Sequence, residues 1–333
     1  MQYTTLGSTG MTVSEICLGC MGFGYDSSSK YDWPVMGEED SEKIIERAID
    51  LGINFFDTAN TYSWGDSERV LGSALSDYDR DRYIVGTKVR LPPSDDPHPN
   101  ATGLSRKTIE QELNNSLSRL EMDRVDLYSI HRWDYDTPIN QTLRALDDAV
   151  QRGKVHHIGA SSMWAYQFAT ALRTSELNDL EQIMTMQNQY NLVYREEERE
   201  MLPLCQQENI GVTPWSPVAS GFLTQPHEEV QESDRSKKHS YDTNRGKEIN
   251  ERVEELAEEE DVSMAQISLA WLLHKDWVDA PIVGIGSVEH LEEAVEATEI
   301  KLDKSDIMYL EEPYKPVEVQ RHIPLRYQDT EDR

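Results

Sequence analysis

Short β-branched runs alternate along this chain with longer segments of helical period, and that alternation constrains the fold more than any other feature. It is the signature of βα units, which build a parallel sheet. Strand candidates stand at 16–18, 54–56, 83–87, 125–130, 155–159, 183–186, 211–214 and 281–283, eight in all. Helix starts lie between them: Ser41 ahead of 42–51, Asp66 ahead of 67–75, Ser105 ahead of a run ending near Leu120, Pro138, and Ser263 ahead of 264–274. Eight strands with intervening helices, without a long linker or a shorter repeat, favour an α/β architecture of the (β/α)8 TIM-barrel type over a doubly wound sheet. Residues 1–13, with Gly7-Ser8-Thr9-Gly10 at their centre, predict an N-terminal β-hairpin cap, and 304–310 an additional C-terminal helix. The whole of 1–333 reads as one domain, with 313–333 as a tail.

A barrel of parallel strands carries its active site on the C-terminal rim, so polar residues at strand ends become candidates. Asp57 follows Asn54-Phe55-Phe56, Lys88 ends the run 83–87, His131 ends the run 125–130, and Tyr62 lies just past Asp57. Each alone has a plain structural reading: His131 as a bonded core histidine, Lys88 as a solvated strand end. Together, at the ends of three consecutive strands, they define a site.

Charge excludes several partners. With 32 Lys+Arg against 62 Asp+Glu the formal net charge is −30, a field that disfavours nucleic acid and anionic membrane. The acid is spread through runs such as Glu196-Glu197-Glu198 and Glu258-Glu259-Glu260-Asp261, a pattern of solvated helix faces. Such repulsion largely vanishes in molar salt, where the Debye length is about 3 Å, so the composition points to a halophilic source. Neither a leader segment nor an apolar run long enough for a spanning helix is evident, and 3 cysteines form no disulfide framework; a cytoplasmic location is expected. Cys17-Leu18-Gly19-Cys20 has redox spacing but lies in an apolar strand without a second pair, and His156-His157 point to opposite faces of a strand and cannot readily share a metal. The aromatics Phe23, Tyr25, Trp33, Trp64 and Trp133 are divided between pocket lining and packing.

The segments Asn54-Phe55-Phe56-Asp57-Thr58-Ala59-Asn60-Thr61-Tyr62, Gly86-Thr87-Lys88, Asp126-Leu127-Tyr128-Ser129-Ile130-His131-Arg132, Ile158-Gly159-Ala160-Ser161-Ser162, Met186-Gln187-Asn188-Gln189-Tyr190-Asn191-Leu192 and Pro214-Trp215-Ser216-Pro217 stand in order along the chain. In these the sequence resembles the aldo-keto reductases, in particular the branch of potassium-channel β-subunit-type and related bacterial oxidoreductases. The resemblance implies NAD(P)H-dependent reduction of a small aldehyde or ketone, with Tyr62 as general acid and base, Lys88 and Asp57 as its tuning pair and His131 orienting the carbonyl. It further implies that Ser161, Ser162 and Gln187 hold a nicotinamide carboxamide and that Trp215 stacks on the ring. Met21, Ser216, Val218, Gly221, Gly284, Gly286, Ser287, His290 and Glu293 are the remaining cofactor contacts it suggests, with 216–243 as a covering loop. Many relatives have Asn where this chain has Ser162, and the fixed Lys or Arg that often holds a 2′-phosphate is replaced by Ser287 and His290. NADP(H) is still expected, with NAD(H) possible and Arg235, Lys237 and Lys238 as further candidates for the phosphate. The same resemblance leaves open a cofactor-binding regulatory subunit as the alternative to an enzyme. A Gly-x-Gly-x-x-Gly turn between strand and helix is absent.

The residue types suit the chemistry. A tyrosine, with an ordinary pKa near about 10, would have to fall by about 2 to 3 units to titrate near neutrality. An ammonium at about 4 Å in an effective dielectric near 20 supplies about 4 kcal/mol toward that, and Asp57, if about 6 Å away, opposes it by about 3 kcal/mol while holding Lys88 charged.

Overall fold

The computed structural model describes residues 1–25, 35–230, 241 and 243–316. A two-stranded antiparallel hairpin, β1 (Tyr3–Thr5) and β2 (Thr12–Ser14), opens the chain. Eight parallel strands follow: β3 (Cys17–Gly19), β4 (Phe55–Asp57), β5 (Ile84–Val89), β6 (Val125–Ile130), β7 (Val155–Ser161), β8 (Ile183–Gln187), β9 (Gly211–Val212) and β10 (Ile282–Gly284). From β3 to β9 each pairs with the next in chain order, and β10 pairs with β3. A parallel bridge between Trp215 and Ile282 joins the last seam, with Ile282 N–H donating to the Pro214 carbonyl at 2.8 Å and Asp279 N–H to that of Val212 at 3.0 Å. This is the (β/α)8 barrel, with strands where the pattern put them.

The helices are α1 (Glu38–Asp50), α2 (Asp66–Leu75), α3 (Arg106–Leu120), α4 (Ile139–Gln151), α5 (Ala165–Asn178), α6 (Met201–Glu208), α7 (Asn244–Glu260), α8 (Met264–Leu273), α9 (Val288–Glu296) and α10 (Lys304–Glu311). Their inward stripes, such as Ile44, Ile45 and Ala48 of α1 or Ile249, Val253 and Leu256 of α7, bury against the outside of the strands and one another. Ser105 and Ser263 cap α3 and α8 as expected, accepting from the N–H groups of Thr108 and Gln266.

Two starts differ from the sequence reading. Helix α1 begins after Gly37, with Glu38, Glu39 and Asp40 at the positive end of its dipole, and Ser41 lies inside it, its hydroxyl bonded to the Gly37 carbonyl at 2.8 Å. Asp66 is the first residue of α2 and not its cap; the cap is Gly65, at φ 90°.

The hairpin closes the N-terminal end of the barrel. Leu6 and Val13 meet Cys17, Phe55, Leu127, Ala280 and Ile282 in one buried cluster. Gly7, at φ 49°, comes so close to β9 that a Cβ there would lie 2.3 Å from the Gly211 nitrogen. Asp279 fastens the contact, its Oδ2 accepting from Gly7 N–H at 3.1 Å and Val212 N–H at 3.0 Å.

Candidate active site

Asp57 ends β4, Lys88 is the penultimate residue of β5 and His131 follows β6, so three adjacent strands deliver them to the same rim. Lys88 is fully buried. Its Nζ donates to Asp57 Oδ2 at 2.6 Å, to the Thr58 carbonyl at 2.8 Å and to Tyr62 Oη at 3.4 Å. The second Asp57 oxygen accepts from Gln187 Nε2, at the end of β8, at 3.0 Å. The rings of Tyr62 and His131 meet edge to face, with centroids 5.7 Å apart.

Local backbone puts Tyr62 there. After it come three successive residues in the left-handed region, Ser63 (φ 48°), Trp64 (φ 54°) and Gly65 (φ 90°), which turn the chain sharply into α2. Glycine suits the third position: a Cβ on Gly65 would lie 2.6 Å from Arg119 Cδ. Arg119 in turn donates to the buried Glu68 at 2.5 Å, and the other Glu68 oxygen accepts from Thr87 Oγ1 at 2.5 Å. Glu68 thus ties the strand residue before Lys88 to the helix that follows Tyr62. Neither residue was legible as part of the site, since a Glu on an amphipathic helix reads as solvated.

Electrostatics sort the four groups. Burial alone would push Lys88 down, but Asp57 and Tyr62 outweigh it and hold the ammonium above its ordinary value. His131 lies well below the usual histidine range, through burial first and then the nearby charges of Lys88, Arg132 and Arg90, and is neutral. Its Nδ1 is buried without a hydrogen-bond partner. Tyr62 corrects the sequence argument: burial raises its pKa, and the opposing pull of Lys88 and Arg132 does not bring it below that of an ordinary phenol. Desolvation of the phenolate was the quantity missing from the Coulomb comparison.

Apart from Met21 and Glu293, the suggested cofactor residues fall into three groups. Ser161 and Gln187 end β7 and β8 and are buried; Ser162, at φ 48°, accepts from Trp215 Nε1 at 3.0 Å, and its hydroxyl lies 3.2 Å from that of Ser161. Ser216, Val218 and Gly221 follow β9 in a turn where Ser216 (φ 53°), Ala219, Ser220 and Gly221 (φ 93°) are left-handed. Gly284, Gly286, Ser287 and His290 lead from β10 into α9, which Ser287 caps by accepting from His290 N–H at 3.3 Å. Met21 lies in the 3-10 turn Cys20–Gly22 after β3. Glu293 accepts from Ser263 Oγ at 3.1 Å on the wall of an acidic groove of about 730 Å³ that also carries Glu254, Glu258 and Glu296, away from the four central residues. Arg235, Lys237, Lys238 and Trp33 lie outside the described residues, as does part of the covering loop. Among the aromatics, Phe23 is core and Tyr25 is exposed. The cysteines are free and buried.

Lysine, aspartate, tyrosine and histidine thus converge on one rim of a parallel eight-stranded barrel. The Aldo/keto reductase family model matches residues 15–315, and the chain belongs to that family. It is 42% identical to a Schizosaccharomyces pombe protein named for aryl-alcohol dehydrogenase activity, over 96% of this chain and 98% of that one. It is 38% identical to the versiconal hemiacetal acetate reductase of Aspergillus parasiticus, over 95% and 98%, and 38% identical to an aldo-keto reductase of Metarhizium robertsii, over 97% and 93%. No helix among the described residues is long and apolar enough to cross a membrane.

Proposed function

We propose that this chain is a cytosolic, nicotinamide-dependent reductase of small aldehydes or ketones, working without a nucleic-acid or membrane partner. The observation that carries the reading is the buried Lys88 ammonium, paired with Asp57 at 2.6 Å and 3.4 Å from the Tyr62 phenol. Reduced nicotinamide, when bound, supplies a hydride to the carbonyl carbon. The donor set fits that group: the hydroxyls of Ser161 and Ser162 and the amide of Gln187 would hold its carboxamide, and Trp215 would cover a ring face.

Tyr62 gives its Oη proton to the carbonyl oxygen as that oxygen gains charge. Its raised pKa keeps the phenol protonated, the form that donation requires. Lys88, held charged by Asp57, stabilises the phenolate left behind, and neutral His131 orients the carbonyl oxygen without adding a charge. Aromatic aldehydes head the test panel because one relative is named for aryl alcohols. Consumption of reduced nicotinamide with at least one aldehyde is expected; none across the panel removes the reading.

The phosphorylated cofactor is preferred, by about tenfold in specificity constant, a modest margin because Ser287 and His290 give no fixed cation. Backbone N–H groups at the start of α9 would receive its 2′-phosphate together with the Ser287 hydroxyl. A preference for NADH at every salt concentration would show that the lost cation decides the matter.

A further inference from the structure

Arg132 and Arg90 take no part in the mechanism above, yet both stand beside it. Arg90 follows β5 two residues after Lys88, and Arg132 directly follows His131. Arg132 is only half-exposed; its Nη1 donates to the His131 carbonyl at 2.6 Å and to Ser161 Oγ at 3.3 Å, and its guanidinium lies 5.9 Å from the Trp215 ring. Arg90 has a buried Nε without a hydrogen-bond partner and a backbone at φ 124°, a region that disfavours any side chain.

Among the described residues neither arginine pairs with a carboxylate. Asp57 is engaged by Lys88 and Gln187, and Asp134, the acid whose field Arg90 feels, is bonded to Leu104 N–H and Thr137 Oγ1. In a chain with a net charge of −30, two unpaired, partly buried guanidinium groups at one end of the catalytic row are an exception to the molecule's own composition. The register pairs Val89 with Ile130, so the two arginines leave neighbouring strand ends, and cations desolvated there with no carboxylate partner among the described residues are costly unless a ligand supplies the charge.

We propose that Arg132 and Arg90 form an anion-receiving subsite, and that the physiological carbonyl substrate carries a carboxylate. A guanidinium fork matches a planar carboxylate through paired N–H donors, and a singly charged group costs less to bring into a half-buried rim than a doubly charged phosphate. The residues suggested for the cofactor's phosphates follow β9 and β10, whereas the arginines follow β5 and β6, so the subsite belongs to the substrate. The inference rests on carbonyl reduction at Tyr62.

The test compares 3- and 4-carboxybenzaldehyde with their methyl esters, using NADPH and about 1 M potassium chloride so that the molecule's overall field is screened. The wild-type enzyme is expected to prefer the better acid over its ester by about tenfold or more in kcat/KM, chiefly through KM. Arg132→Gln should bring that ratio close to one, Arg132→Lys should restore part of it, and Arg90→Gln should reduce it. Should Arg132→Gln fail to fold, as read by its thermal melt, the wild-type ratio and Arg90→Gln decide. Equal reduction of acids and esters by the wild type, or a ratio unmoved by the arginine variants, overturns the subsite while leaving carbonyl reduction standing. Turnover of neither acids nor esters, nor of any aldehyde in the wider panel, overturns both.

Discussion

Tyr62 is the residue on which the proposed mechanism turns, and removing its hydroxyl tests the assignment. Tyr62→Phe is expected to bind NADPH as before, measured by fluorescence titration, and to lose roughly 100-fold or more in kcat, the usual contribution of a positioned proton donor. Because burial lifts the Tyr62 pKa, the wild-type reduction rate should hold through neutral pH and fall only above about pH 10, where an ordinary phenol ionises. A fall already under way at pH 8 would show that a different group donates. Asp57, Lys88 and His131 were legible because each puts a polar group at the end of an apolar strand, and Tyr62 because it lies just past Asp57. The direction of the Tyr62 shift was not, since it depends on which atoms enclose the phenol. Arg90 and Arg132 escaped for a related reason: an arginine after a strand reads as a solvated terminus until it is seen to have no carboxylate partner among the described residues.

Helices and strands show the same division at larger scale. Strand positions followed from apolar runs, but α1 and α2 start at Gly37 and Gly65, residues with no side chain to announce a cap. Ser41 and Asp66 looked like caps because their types bond to backbone; one turns inward to its own helix and the other adds charge to a first turn. Between elements, the contact of the hairpin with β9 hangs on Asp279, whose burial raises its pKa to about 6 despite two backbone donors. A carboxyl raised in the folded state stabilises fully below its unfolded value near 3.8, and that contribution is lost as pH rises through about 6. Asp279→Asn keeps an acceptor for Gly7 and Val212 without the buried charge. Urea unfolding should show the variant more stable than wild type by on the order of 2 kcal/mol at pH 8, with the difference shrinking toward pH 4. A variant less stable than wild type at pH 8 would mean that the ionised carboxylate is the better acceptor.

For the molecule as a whole, charge and closure matter most. The acids of α7 lie on its outer face, where burial together with Glu258, Glu228, Glu229 and Glu251 raises the pKa of Glu254, a local sign of the repulsion spread over a net −30. Melting temperature and activity should therefore rise together from dilute buffer to about 1 to 2 M potassium chloride, as screening shortens to a few ångströms. A melting temperature unchanged across that range removes the halophilic reading. The barrel closes at its shortest strand, the two-residue β9, and the three-residue β10. Both proposed cofactor segments, 216–221 and 284–290, leave from that seam. A ligand tied to both would oppose opening of the ring at that seam, so by mass action its concentration would affect how often the barrel opens there. Amide exchange at the seam would then gauge how often a ligand is held there.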